Sequence, residues 1–291
     1  MIPYTLHRGT APLLVSLPHN GSAIPDDMAA RMKRRARGSV DTDWHVAELY
    51  DFAREMGASV IKPFASRFVV DLNRPADGHL LYPGKNETGL VPTVLFDGRD
   101  IYRPGAEPDA ADIADRVERW WKPYHQALAS ELARLKAEFG HVVLWEGHSI
   151  RSEVPMLFEG RLPDFNLGTA DGASCSPGLQ ARVAAVLERQ EDYSFAVNGR
   201  FKGGYITRHY GRPAEGVDAI QLELAQLNYM DEDSFEYLPK KAAQVQVLIG
   251  DMLQVCLEGA SPAPSNKAHP VGADSSANKN KPAAQQRPQG S

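Results

Sequence analysis

Three short apolar runs of the sequence each lead into a side chain that can bind a metal ion or transfer a proton. The runs are residues 13–17, 142–145 and 217–224. His19 follows the first run, His148 follows the second, and Glu223 lies near the end of the third. The carboxyl ends of parallel strands meet at one edge of a sheet, where ligands of α/β proteins bind. We therefore expect these side chains to lie close together.

The residue types predict a metal-dependent hydrolase. Two imidazoles and one carboxylate, with a fourth position left for water, form the ligand set of a catalytic zinc site. His19 and His148 supply the imidazoles, and Asp43, at the start of a helical pattern, is the candidate carboxylate. Asp41 and His45 lie within two residues of Asp43, so the sequence leaves the second ligand open among these three.

Glu223 is the candidate general base. Zinc lowers the pKa of bound water from about 15.7 to about 7, so hydroxide is available at neutral pH. A separate carboxylate can take a proton from that water and then protonate the leaving nitrogen of an amide. Glu223 suits this role because an acid within a buried strand needs either a function or an ionic partner. Glu146 is a candidate for orienting a ligand imidazole through a hydrogen bond.

Five arginines lie at predicted strand ends or in the long loops beside them: Arg67, Arg74, Arg151, Arg161 and Arg208. The planar guanidinium group binds carboxylates bidentately, so several arginines on one face predict an anionic substrate. A single arginine more often forms a surface ion pair, and the prediction therefore depends on the cluster. Arg151 and Arg208 are candidates for binding the substrate from the loops.

The alternation of strand and helix patterns predicts an α/β fold with a mostly parallel sheet and helices on both faces. Predicted strands cover residues 13–17, 58–64, 68–72, 142–145, 195–198 and 217–224. Predicted helices cover residues 41–56, 109–139, 176–190 and 238–257. Asp41 is a candidate cap for the first helix, and Pro123 is expected to kink or restart the second.

The composition excludes several classes of protein. A formal net charge of −5 over 291 residues gives no sign of a nucleic-acid or anionic-membrane partner. Two cysteines are too few for a cysteine metal site or a disulfide framework. The sequence has neither a secretion-signal pattern nor an apolar run of membrane-spanning length, so we expect a cytoplasmic protein. We predict one domain over residues 1–258 and a disordered low-complexity tail over residues 259–291.

Several motifs, in order over roughly residues 10–255, resemble the N-formylglutamate amidohydrolase (N-formylglutamate deformylase) family. The motifs are SLPHNG at 16–21, DTDW at 41–44, SRFVVDLNRP at 66–75, WWKPYH at 120–125, HS at 148–149, GGYITR at 203–208 and QLEL at 221–224. The resemblance implies a three-layer αβα sandwich similar to the zinc-dependent exopeptidases, with zinc as the metal and cobalt as an alternative. It also implies hydrolysis of N-formyl-L-glutamate to L-glutamate and formate, the last step of one route of histidine degradation.

The DLNR motif at residues 71–74 is similar to that of the aspartoacylase and succinylglutamate desuccinylase group. By that resemblance, Asn73 and Arg74 hold the α-carboxylate of the substrate. Arg67 polarises the scissile carbonyl group, and Glu223 activates the water.

This chain departs from those relatives at the second metal ligand. They have a glutamate three residues after the first histidine, where this chain has Ser22, so the acid is expected from Asp43 or a neighbour. Two other functions stay open: a metal-dependent amidase for another N-acyl acidic amino acid, and a non-catalytic binding protein. If the chain were a non-catalytic binding protein, we would expect His19, His148 or Glu223 to be replaced. All three residues are present. The expected partner is a small dicarboxylate, with the oligomeric state open between a monomer and a small homo-oligomer.

Overall fold

The central feature of the fold is one mixed sheet. A computed structural model describes residues 2–81, 84 and 86–259, so the predicted tail lies outside the described residues except for Gly259. The strands are β1 (Tyr4–His7), β2 (Leu13–Ser16), β3 (Ser59–Pro63), β4 (Val142–Ile150), β5 (Phe165–Gly168), β6 (Phe195–Val197) and β7 (Val217–Ala225). Their order is β1-β3-β2-β4-β7-β5-β6. Only β1 with β3 and β5 with β7 pair antiparallel among these described strands, which confirms the mostly parallel mixed sheet.

Helices cover both faces of the sheet. They are α1 (Asp26–Arg31), α2 (Val46–Leu49), α3 (Ala110–Arg116), α4 (Lys122–Phe139), α5 (Pro177–Glu188), α6 (Tyr205–Tyr210) and α7 (Pro239–Gly259), with short 3-10 turns at Ala36–Gly38, Asp51–Arg54, Pro213–Glu215 and Gln226–Asn228. On one face, Trp145 and Leu222 pack in a core with α2, α5 and α7. On the other face, Leu144 and Ala219 pack in a second core with α4. These three layers confirm the predicted αβα sandwich.

The helical stretch from α3 to α4 changes its hydrogen-bonding pattern midway. Asp109 caps its start by accepting a hydrogen bond from the amide of Asp112. A π-helical turn, Val117–Trp121, then separates α3 from α4. Pro123 lacks an N–H group, and its ring would clash with the carbonyl four residues earlier in a regular α-helix. The pattern changes directly before Pro123, where a kink or a restart was predicted, while the residues on both sides keep helical backbone angles.

Two predicted elements are wrong. Residues 68–72, predicted as a strand, form turns and irregular structure, although Phe68 and Val69 are buried in a core of their own. Residues 41–56, predicted as one helix, contain only the short α2 and the 3-10 turn after it. His45 interrupts the helical pattern because its backbone is left-handed, with a φ of 60°. Apolar spacing reports burial, and burial alone does not produce the regular backbone hydrogen bonds of a helix or strand.

The other predicted elements are confirmed with shifted ends, and the largest shift affects β4. The strand was expected to end at Trp145, but it continues to Ile150 and carries Glu146 and His148 inside the sheet. Every residue of β4 and of its neighbour β7 is buried. Buried polar side chains need hydrogen-bonding partners. The polar side chains of β4 and β7 must therefore find their partners inside the protein. In the described part of the chain, no helix combines the length and apolarity needed to cross a membrane.

Candidate active site

The central strands β4 and β7 place four polar side chains on one face of the sheet. Their parallel register pairs Glu146 with Gln221 and His148 with Glu223. Paired residues of neighbouring strands project to the same face, as do residues two positions apart on one strand. Leu144 lies on this face two positions before Glu146 and packs in the core beside α4. The four polar side chains therefore form a patch where the apolar core ends.

His19 and Asp43 reach this patch from the loop after β2 and the loop before α2. The amide of Asp43 donates to the carbonyl of His19 over 3.1 Å, which joins the two loops. The Asp43 carboxylate lies 3.0 Å from Nδ1 of His148 and 3.9 Å from Nδ1 of His19. The amide of Ser149 donates to the same carboxylate oxygen over 3.1 Å. His19, Asp43 and His148, called the metal group below, are buried and offer ligand atoms within 4.8 Å of one another.

The spacing within the metal group fits a divalent ion. In a tetrahedral zinc site with bonds of about 2.0–2.1 Å, ligand atoms lie roughly 3.3–3.5 Å apart. This separation falls between the distances from the Asp43 carboxylate to the two Nδ1 atoms. The alternative second ligands lie in other contacts. Asp41 accepts a hydrogen bond from the amide of Phe96, so it neither caps α2 nor meets the histidines. Nε2 of His45 lies 2.9 Å from the carbonyl of Phe235. Of the three candidates, the fold brings Asp43 to the histidines.

Each histidine of the metal group is held by a carboxylate on the side away from Asp43. Nε2 of His19 lies 2.7 Å from Oδ1 of Asp71, and Nε2 of His148 lies 2.7 Å from Oε1 of Glu146. When a carboxylate accepts the Nε2–H hydrogen, Nδ1, which faces Asp43, is the ring nitrogen that can bind a metal ion once it is deprotonated. Metal-binding histidines are typically oriented by such a hydrogen bond. This arrangement supports a metal site.

The two orienting carboxylates are themselves anchored. Asp71 accepts hydrogen bonds from Nη2 of Arg67 over 2.7 Å and from the amide of Asn73 over 2.9 Å. Glu146 accepts hydrogen bonds from both the amide and the hydroxyl group of Thr207, near the start of α6. The orienting role of Asp71 and the anchoring role of Thr207 did not follow from the sequence. The only signal for Asp71 in the sequence is its place in the DLNR motif. His19, which Asp71 orients, lies 52 residues away in the chain, so the sequence does not predict this contact.

The charges around the metal group favour opposite protonation states for the two histidines. Burial and the positive charge of Arg67 lower the pKa of His19, which keeps its ring in the neutral form that binds metals. Burial opposes a charge on His148 as well, but Glu146 and Asp43 overcome it and raise the pKa of His148 well above its ordinary value. The space between Asp43 and Glu146 therefore stabilises positive charge.

Glu223 lies beside the metal group and lines the same cavity as His19 and His148. Burial, reinforced by the charges of Asp43 and Glu146, raises the pKa of Glu223 to about 8. A carboxyl group with a pKa near neutrality can accept a proton and return it in a later step. The environment of Glu223 therefore suits a general base that later acts as an acid.

The cavity in front of Glu223 has a volume of about 60 Å3. Arg67, Asn73 and Arg74, which the family resemblance connects with the substrate, all line it. The side chain of Arg74 is oriented by a hydrogen bond from its Nε to the carbonyl of Thr88, over 2.7 Å. The fold thus brings the candidate base and these three candidate substrate ligands to one cavity.

The backbone of the DLNR motif is held at three successive carbonyl groups. Nε2 of His125 donates to the carbonyl of Leu72 over 2.9 Å. Nε1 of Trp121 donates to the carbonyl of Arg74 over 2.9 Å, and the amide of Tyr205 donates to the carbonyl between them over 3.2 Å. The rings of His125 and Trp121 stack with centroids 3.7 Å apart. Two residues of the WWKPYH motif and the start of α6 therefore hold the backbone that carries Asn73 and Arg74.

Arg151, Arg161 and Arg208 do not line this cavity, although the sequence placed them on the same face. Arg151 pairs with Asp233 over 2.9 Å, and Arg161 pairs with a neighbouring aspartate. Arg208 lies on the short helix α6, where Thr207 faces Glu146 and the next side chain turns away by about 100°. The cavity lining therefore does not support the predicted substrate role of Arg151 and Arg208. Proximity to a strand end does not decide which way a loop side chain points.

Arg200 and Phe201 line the cavity instead. Both lie in the loop between β6 and α6. The sequence carries no local signal that separates Arg200 from other loop arginines, because its position depends on how this loop folds back over the sheet.

Known proteins share both the sequence and the fold. The family model for N-formylglutamate amidohydrolase matches residues 11–230. N-formylglutamate deformylase of Pseudomonas aeruginosa is 53% identical over 251 residues, covering 86% of this chain and 94% of that protein. The enzyme of the same name from Pseudomonas putida is 48% identical over 254 residues, covering 87% and 95%. The crystal structure of N-formylglutamate amidohydrolase from Ralstonia eutropha JMP134 matches with a TM-score of 0.73 and 28% identity, covering 89% of this chain and 97% of that one.

Proposed function

The chain belongs to the N-formylglutamate amidohydrolase family, and on this basis we propose that it hydrolyses N-formyl-L-glutamate to L-glutamate and formate. The observation that carries the proposal is the convergence of His19, His148 and Glu223 on a cavity lined by arginines, with Asp43 beside both histidines. An amide is a poor electrophile, which accounts for a metal group beside a buried base. A dicarboxylate substrate accounts for the arginines.

His19, Asp43 and His148 would hold the metal ion through their two Nδ1 atoms and a carboxylate oxygen. Two nitrogen ligands and one oxygen ligand favour zinc, with cobalt as a substitute. When bound, such an ion polarises a carbonyl group and makes water more acidic. The carboxylates behind both histidines support this assignment, because they supply negative charge for a divalent cation.

Glu223 is the group that we assign to proton transfer. It takes a proton from the water that adds to the formyl carbon. It then gives a proton to the glutamate nitrogen as the C–N bond breaks, which releases formate and L-glutamate. Arg67 lines the same cavity and stabilises the carbonyl oxygen as that oxygen gains negative charge.

Asn73 and Arg74 are assigned to the α-carboxylate of the substrate. This carboxylate is attached to the same carbon as the scissile nitrogen, so its receptor must lie close to the metal group. Nδ2 of Asn73 lies 3.0 Å from Nε2 of His148, and Arg74 is the next residue. The guanidinium fork of Arg74 then provides bidentate binding of the carboxylate.

Incubation of the purified protein with N-formyl-, N-acetyl- and N-succinyl-L-glutamate tests the proposal, with release of L-glutamate as the readout. We expect N-formyl-L-glutamate to be the best substrate, a chelator to abolish activity, and Zn²⁺ or Co²⁺ to restore it. Full activity in a sample that elemental analysis shows to be metal-free would refute the metal role. Preference for another acyl group would favour the alternative amidase, and no release from any substrate would favour a binding protein.

We further propose that the enzyme acts in the cytoplasm at the last step of histidine degradation, as the family resemblance implies. A deletion strain fed histidine should then accumulate N-formyl-L-glutamate, and mass spectrometry of cell extracts measures this. A strain with unchanged levels of the compound would contradict the placement.

A further inference from the structure

Three arginines among the described residues line the cavity: Arg67, Arg74 and Arg200. Arg67 is buried and pairs with Asp71 over 2.7 Å, directly behind the metal group. Arg74 belongs to the DLNR motif and follows Asn73, whose Nδ2 lies 3.0 Å from Nε2 of His148. Arg200 comes from a different part of the chain, the loop between β6 and α6. The function proposed above leaves Arg200 without a role.

A short loop segment connects Arg74 with Arg200. Nε of Arg74 donates to the carbonyl of Thr88 over 2.7 Å, and Nη2 of Arg200 donates to the carbonyl of Asn86 over 3.0 Å. These two carbonyl groups belong to residues that are two positions apart. The segment therefore sets the spacing between the two guanidinium groups at the cavity.

The cavity wall near Arg200 is apolar. Leu157 and Phe201 line this wall, and they belong to one small apolar cluster that also contains Phe96. The guanidinium group of Arg200 lies over the ring of Phe201, 5.2 Å from its centroid, and its Nε donates to the carbonyl of Leu157 over 2.7 Å. These contacts orient the cation. A cation beside an apolar wall is complementary to a hydrocarbon chain that ends in a carboxylate.

The two carboxylates of N-formyl-L-glutamate differ in their distance from the scissile amide. The α-carboxylate lies next to it and requires a receptor near the metal group, for which Arg74, the residue after Asn73, is the candidate. The side-chain carboxylate follows two methylene groups and requires a second receptor, and Arg200, which lines the cavity beside apolar side chains, is the candidate. We propose that Arg200 binds the side-chain carboxylate and thereby selects glutamate over uncharged N-formyl amino acids. This inference rests on the proposed function.

The variant Arg200→Gln, assayed with N-formyl-L-glutamate and N-formyl-L-glutamine, tests the inference, because these compounds have similar shapes and differ in side-chain charge. We expect kcat/KM for the glutamate compound to fall on the order of 10- to 100-fold, mainly through KM, and that for the glutamine compound to change by less than about threefold. Arg200→Lys should recover part of the loss. Arg74→Gln should lower kcat/KM for both compounds, since both carry the α-carboxylate.

Arg161→Gln is the matched control, because Arg161 pairs with Asp164 outside the cavity, and this variant should leave both activities unchanged. Equal losses for both compounds in Arg200→Gln would show that Arg200 only supports the loops. No loss for either would show that it does not meet the substrate, and each of these results overturns the inference.

Calorimetric binding of L-glutamate and L-glutamine repeats the comparison without turnover. Weaker binding of L-glutamate alone in Arg200→Gln supports the inference, and unchanged binding of L-glutamate overturns it. Wild-type protein that hydrolyses neither formyl compound would count against the proposed function, and the binding comparison would still decide the role of Arg200.

Discussion

Replacement of His125 by glutamine should flatten the pH dependence of stability. Burial lowers the pKa of His125 to about 3 in the folded protein, whereas an exposed histidine has a pKa of about 6.5. Below pH 6.5 the unfolded chain therefore binds more protons than the folded chain. This contribution to stability is fully present above pH 6.5 and is lost as the pH falls. Between pH 7.5 and 5.0 the loss amounts to about 2 kcal/mol, or roughly 4–8 °C in Tm for a domain of this size.

Urea unfolding of both proteins at pH 7.5 and pH 5.0 measures this effect. Other titrating groups, including the histidines of the metal group, contribute to both proteins and cancel when the two pH dependences are subtracted. Loss of ring stacking on Trp121 lowers the stability of the variant equally at both pH values. If both proteins lost the same free energy of unfolding between the two pH values, the pKa of His125 in the folded state would be that of an exposed histidine. This result would refute the argument that burial lowers the pKa of His125.

Three further substitutions test the site. Glu223→Gln should lower kcat by about 10²–10⁴ with metal content unchanged, as measured by kinetics and elemental analysis; an emptied metal site would instead make Glu223 a ligand. Asp71→Asn removes the charge behind His19 and should weaken metal affinity by about 10- to 100-fold in competition with a chelator; unchanged affinity would contradict the orienting role. Trp121→Phe keeps the ring but loses the hydrogen bond to the Arg74 carbonyl, so KM should rise about 2- to 10-fold with little change in kcat; a fall in kcat alone would argue against it.

Local sequence patterns were enough to predict the fold class and the main candidate catalytic residues. Apolar runs and amphipathic spacing are local properties of the chain, and they identified most of the strands and helices of the sandwich. The ends of the central parallel strands then predicted that His19, His148 and Glu223 lie close together. The apolar pattern wrongly predicted a strand at residues 68–72, where a buried apolar run forms turns. Apolar residues show that a segment is buried, but they do not show that it pairs with a neighbouring strand.

The tertiary structure alone decided which side chains face one another. It selected Asp43 over Asp41 and His45 through a contact with a histidine 105 residues away. It placed Asp71 behind a histidine 52 residues away. It also brought Arg200, rather than Arg151 or Arg208, to the cavity. Such pairings depend on the paths of loops and on the directions of side chains. Packing between distant segments sets both, so the spacing of residues in the sequence does not predict them.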